Sequence, residues 1–102
     1  MIDFTATWCG PCKELERTFT APDVADALGA RFVRLTYDVT RGTDADDAVQ
    51  ARYRAGTPTV IFVTADGKEL GRLAQYVEPA AFLDVLRPAA AEIDRARAPR
   101  AP

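Results

Sequence analysis

Residues 8–13 read Trp8-Cys9-Gly10-Pro11-Cys12-Lys13, and Cys9 and Cys12 are the only two cysteines in the chain. They stand where the apolar–polar alternation of Met1 to Ala6 gives way to a helical pattern, so the motif joins a strand to a helix. With Cys9 at the first position of that helix, unpaired backbone N–H groups and the positive end of the helix dipole favour a thiolate, the nucleophile of disulfide exchange. Pro11 fits the same placement, because its fixed φ and missing N–H are tolerated in a first turn but would break a helix interior. Cys12 then lies under the same turn, close enough for the pair to cycle between dithiol and disulfide without unfolding.

Three other uses of such a pair compete with exchange chemistry. A purely structural disulfide of this spacing closes too short a loop to remove much entropy from the unfolded chain. A zinc site needs four ligands, and a chain with two cysteines and no histidine could supply them only by sharing the site between copies. An iron–sulfur cluster would likewise have to be bridged by two such pairs.

The 102 residues, 48% hydrophobic and 27% charged, suit one globular domain with a modest core and leave no room for a second. A formal charge of −2 argues against nucleic acid as a partner. No apolar run is long enough to span a membrane, and nothing at the start reads as a secretory signal, which taken literally places the chain in the cytosol. The first strand nevertheless begins without a turn or linker before it, as in an excised domain or a shortened reading frame.

Working outward from the motif, Cys12, Leu15 and Phe19 share one helical face, and Thr20-Ala21-Pro22-Asp23 stops that helix. Asp23 is placed to cap a short second helix, Val24 to Leu28, ended by Gly29. Arg31 to Tyr37 alternates as a strand. Asp44, Asp46 and Asp47 open a helix that runs to Ala55 and stops at Gly56, their carboxylates suiting a first turn better than a cation site. Thr59 to Thr64 is an apolar strand, Ala65-Asp66-Gly67-Lys68 a hairpin turn, and Glu69 to Tyr76 the returning strand. A last helix begins near Pro79 with Phe82, Leu83, Val85 and Leu86 on or beside its apolar face, and Pro88 interrupts or kinks it. Residues 88–102, rich in alanine, arginine and proline, read as a tail, either a helical extension or disordered, with fraying the default. The order is βαβ followed by ββα, an α/β fold with a mixed four-stranded sheet covered by helices, and residues 1–87 form the domain.

At this point a family resemblance is visible. Asp3-Phe4-Thr5-Ala6-Thr7-Trp8-Cys9-Gly10-Pro11-Cys12-Lys13, with Gly56-Thr57-Pro58-Thr59 further on, resembles the thioredoxin superfamily from Ile2 to about Leu86. Lys13-Glu14-Leu15-Glu16, Phe19-Thr20-Ala21-Pro22-Asp23-Val24 and Asp38-Val39-Thr40 are more similar to the C-terminal thioredoxin-like domain of the thiol:disulfide interchange protein DsbD. The resemblance implies a thioredoxin-like fold without the usual extra N-terminal strand and helix, which would leave a sheet edge exposed. It also implies a protein-disulfide reductase in which Cys9 attacks, Cys12 resolves, and the redox group is the Cys9–Cys12 disulfide itself, with no other cofactor and no metal.

Further roles follow only from that resemblance. Asp3 would be a buried carboxylate below the cysteines, accepting the Cys12 proton, and Glu16, one turn from Cys12, would tune the pair or be an ordinary surface residue. Pro58 would be cis, presenting the Thr57 backbone beside Cys9 to an extended substrate segment. Gly10, Pro11 and Trp8 would share the substrate surface, unless Trp8 merely covers the edge of the core. Arg34 falls near the place of a lysine that pairs with the buried acid in thioredoxins. Expected partners are disulfide-containing proteins and either a reductase or a membrane electron donor, with the chain itself a monomer that does not insert into the membrane. A relay domain of a membrane interchange system, which would place it in the periplasm, and a non-catalytic peptide-binding module are the alternatives.

Overall fold

In a computed structural model, residues 1–97 are described as β1 (Ile2–Thr5), α1 (Gly10–Thr20), α2 (Pro22–Arg31), β2 (Leu35–Asp38), α3 (Asp44–Tyr53), β3 (Thr59–Val63), β4 (Glu69–Leu73) and α4 (Pro79–Arg97). The strands form one mixed sheet in the order β2-β1-β3-β4. β1 runs parallel to β2, with Ile2 opposite Leu35 and Phe4 opposite Tyr37, and antiparallel to β3, with Phe4 opposite Thr59. β3 and β4 close the antiparallel hairpin through the turn at Asp66-Gly67, where Gly67 takes φ 92°.

Strand alternation divides the core in two. Val60 and Phe62 face α1, α2 and α4 and pack with Leu15, Phe19, Val24, Phe82 and Leu86, while Ile2, Phe4 and Ile61 face α3. Each of these large side chains, once fully buried, contributes on the order of 1.5–3 kcal/mol. Phe19, Phe62 and Phe82 interlock edge to face, with centroids 5.4 and 5.7 Å apart. β2 forms one edge of the sheet, and Leu35 and Tyr37 on it are exposed.

Several element ends lie away from where the sequence pattern puts them. α2 begins at Pro22 rather than Val24, and Asp23 sits in its first turn without capping it. The helix also runs through Gly29 to Arg31, because the Phe32 N–H still bonds the Leu28 carbonyl at 2.8 Å and Phe32 is anchored on Phe62. β2 therefore starts at Leu35, not Arg31. α3 opens as expected on its carboxylates: Thr43 and Asp46 form a reciprocal capping box. It ends at Arg54, which adopts φ 52° in the left-handed region, two residues before the expected stop at Gly56.

At the C-terminal end the helical extension, not the default fraying, is what the structure has. The segment from Ala89, for which composition predicts fraying, is helical as far as Arg97; residues 98–102 lie outside the described residues. Ala89 and Ala90 are buried against the main core, and their small size is what lets α4 lie close to α2. Pro88 is accommodated because it and Asp84, whose carbonyl it leaves without a helical partner, are both on the exposed face.

Candidate active site

β1 delivers the chain to the cysteines through a tight turn in which the Cys9 N–H bonds the Ala6 carbonyl at 3.1 Å. Cys9 is the N-cap of α1 in extended conformation, and Pro11 occupies the first turn. The Cys12 N–H donates to Cys9 Sγ at 3.2 Å, so the sulfur takes the place that a hydroxyl or carboxylate oxygen fills in an ordinary cap. Negative charge on that sulfur is favoured by the same geometry. Cys9 and Cys12 are joined as a disulfide with Cα atoms 5.3 Å apart, and both residues are buried. Cys12 Sγ lies 4.0 Å from the Phe4 carbonyl oxygen, deeper toward the sheet.

On β1, Asp3 is buried, and Arg34 donates to its Oδ2 at 2.6 Å. The same guanidinium binds Glu16 of α1, with a second contact from Arg34 Nη1 to Glu16 Oε2 at 3.3 Å, and stacks over Phe19. Burial raises the Asp3 pKa above its ordinary value; the Arg34 hydrogen bond and charge oppose that rise, and the Glu16 charge adds to it. A cleft of about 200 Å³ is lined by Cys12, Lys13 and Glu16 from α1 and by Thr5, Ala6, Thr7 and Asp38 from the strand ends. Glu16 therefore shares a solvent-reaching cleft with Cys12, while Asp3 is joined to it through Arg34.

On the outer side, Trp8 is 66% exposed, so it does not cover the core. Its indole N–H donates to the Thr40 carbonyl at 3.1 Å, and the Thr40 hydroxyl oxygen accepts from the Thr7 N–H at 2.9 Å. The loop after β2 thereby holds the residues that lead into Cys9. The Thr57–Pro58 peptide is cis, and because Thr59 pairs with Phe4, this segment lies at the end of the sheet where β1 departs for the cysteines. Gly10 and Pro11 are exposed at the start of α1.

Sequence reading left out two groups of contacts. Thr40 carries no chemical signature of its own, and its contact with Trp8 spans 32 residues. Arg72, on β4, donates to the Tyr53 and Arg54 carbonyls ahead of Pro58. Among the described residues no group of three or more potential metal-binding side chains comes together.

A family profile described as "Thioredoxin-like domain" matches residues 1–90. The chain is 43% identical over 86 residues to the thiol:disulfide interchange protein DsbD of Cronobacter sakazakii, covering 80% of this chain and 15% of that protein. It is 42% identical over 88 residues to the DsbD of Vibrio vulnificus, covering 82% of this chain and 15% of that one. It thus spans a small part of the length of these relatives. Among solved structures, the C-terminal domain of DsbD from Neisseria meningitidis in its reduced form superposes with a TM-score of 0.76 at 30% identity, over 84% of this chain and 76% of that one. A thioredoxin from Thermus thermophilus gives a TM-score of 0.76 at 31% identity, over 89% and 72%.

Proposed function

Because this chain belongs to the thioredoxin-like domain family, a family of thiol:disulfide oxidoreductases, we propose that it donates electrons to protein disulfides through Cys9 and Cys12. One observation carries the reading: Cys9 Sγ caps α1 and accepts the Cys12 N–H, which favours its thiolate at the place where a substrate arrives. The Cys9 thiolate attacks one sulfur of a substrate disulfide, forming a mixed disulfide and expelling the other sulfur as a thiolate. Cys12 then loses its proton and attacks the Cys9 sulfur, closing the Cys9–Cys12 disulfide and releasing the second substrate thiolate. Two electrons pass from the dithiol to the substrate, and the two substrate thiolates take up protons.

Asp3 accepts the Cys12 proton, a role supported by its burial and raised pKa. Glu16 shares Arg34 with Asp3 and lines the cleft beside Cys12, which suits it to pass that proton to solvent. Trp8, Gly10, Pro11, Thr57 and Pro58 form the docking face for the substrate. No cofactor beyond the cysteine pair takes part.

A second reading has its own support. The identity to interchange proteins over most of this chain favours a relay domain, reduced by a membrane partner rather than by a soluble reductase.

The test is the reduction potential of the Cys9–Cys12 couple, obtained by equilibration in thiol redox buffers. A value near about −270 mV supports a donor, and one near about −120 mV reverses the direction of flow. Wild-type turnover by a Cys9→Ser variant would sink the assignment. Poor turnover with soluble thioredoxin reductase favours the relay, and peptide binding that survives loss of both cysteines without any two-electron couple favours a binding module.

A further inference from the structure

The four carbonyls that lead to Pro58 each accept a hydrogen bond from a side chain. Arg72 donates to Tyr53 O at 3.0 Å and to Arg54 O at 3.2 Å, Gln50 Nε2 donates to Ala55 O at 3.2 Å, and Thr59 Oγ1 donates to Gly56 O at 2.8 Å. The row stops at Thr57, whose N–H and C=O have no hydrogen-bond partner among the described residues. A segment with every carbonyl tied except at its last residue is a rigid arm presenting one unsatisfied backbone unit.

Arg72 is the long-range member of this set, and β4 is irregular where it sits. Ile61 pairs with Arg72, Phe62 with Gly71, but Val63 with Glu69, so Leu70 is an extra residue. That bulge brings Glu69 and Arg72, three apart and otherwise on opposite faces, onto the face that carries α3. Glu69 holds the Arg72 guanidinium at 2.6 and 3.0 Å, leaving its remaining donors aimed at the end of α3. A lysine could not bridge both carbonyls while held in this way.

We infer that Arg72, braced by Glu69 and aided by Gln50, is a positioning residue that pre-orders the Arg54–Thr57 arm for docking the extended backbone of a protein substrate. This inference rests on the proposed reductase function and adds to it the residues that set affinity for protein rather than small-molecule disulfides. An arm ordered in advance spares the complex the entropy of ordering it on binding.

The experiment compares wild type, Arg72→Met, Arg72→Lys and Gln50→Leu in the reduction of a protein disulfide and of a small aliphatic disulfide, together with the potential of the Cys9–Cys12 couple. The expected result for Arg72→Met is a KM for the protein disulfide raised roughly tenfold, with kcat altered less than twofold, an unmoved potential, and a lowered ratio of protein to small-disulfide efficiency. Arg72→Lys should fall between the two, and Gln50→Leu should shift KM the same way. A folded Arg72→Met protein with wild-type KM overturns the inference, as does a loss shared equally by both substrates. If Arg72→Met does not fold, wild-type KM in both Arg72→Lys and Gln50→Leu overturns it. A wild-type protein that reduces no protein disulfide removes the reductase reading itself, and this inference with it.

Discussion

Arg34 donates to buried Asp3 at 2.6 Å from a connecting segment outside the strand that carries the acid, and its guanidinium holds Glu16 as well. One cation thus serves two carboxylates of different surroundings, one buried and one half in solvent. Despite that partner, burial leaves the Asp3 pKa raised, so at neutral pH its charge remains a cost to the fold.

Asp3→Asn should therefore stabilise the protein at pH 7. A raised folded-state pKa means that the native protein binds the proton more tightly than the unfolded chain. Stability contributed by the neutral acid is then complete below the ordinary Asp value of 3.8 and is lost as pH rises through the raised folded value. The gain from Asp3→Asn should appear at neutral pH and vanish in acid. Denaturant melts of both proteins from pH 3 to 8 check this, and a gain that persists unchanged at pH 3 would contradict it.

Arg34→Met should act in the opposite direction. It leaves Asp3 buried without its cation, while the methionine preserves much of the packing over Phe19. Because the Arg34 side chain is 36% exposed, the loss is scaled down from that of a fully buried pair to about 1–2 kcal/mol at pH 7. In an Asp3→Asn background the same change should cost clearly less, and a double-mutant cycle by chemical denaturation measures the difference.

Arg54→Gly should stabilise the fold. Arg54 takes φ 52°, where a Cβ crowds the backbone, and glycine removes that conflict at the end of α3. The expected gain is about 0.5–1 kcal/mol, since the greater freedom of the unfolded chain offsets part of the relief. Thermal and denaturant melts would show it, and a loss of stability would mean that Arg54 makes contacts worth more than its strain.

These cases mark how far the sequence is legible. The helix start at Cys9 and the capping box at Thr43 and Asp46 depend on neighbours a few residues apart, so local rules reach them. The family pattern likewise puts Cys9, Cys12 and Pro58 at one end of the sheet. Arg34's grip on Glu16 depends on where α1 lies over β1 and β2, and Arg72's reach depends on a bulge in β4. Neither leaves a signal in spacing or composition. Gly29 and Gly56 look like helix stops, yet long-range anchors, Phe32 on Phe62 and Arg72 on the end of α3, set the boundaries elsewhere.

The end of α4 tests the same point in energetic terms. Alanine-rich composition beyond Pro88 suggests a tail, but Ala89 and Ala90 are 1% and 8% exposed and pack in the main core. Among the described residues, the ion pair that ties this end to α2, Arg31 with Asp94 at 2.9 Å, is open to solvent and contributes little. Deleting residues 89–102 should therefore cost about 1–3 kcal/mol, chiefly from lost apolar contact with α2 and the core. Asp94→Ala should leave the denaturation midpoint essentially where it is, because an exposed pair is screened by solvent. Denaturation midpoints of the two variants against wild type decide between packing and charge: a deletion that leaves stability unchanged would make the segment a tail after all, and an Asp94→Ala loss equal to that of the deletion would assign the anchor to the ion pair.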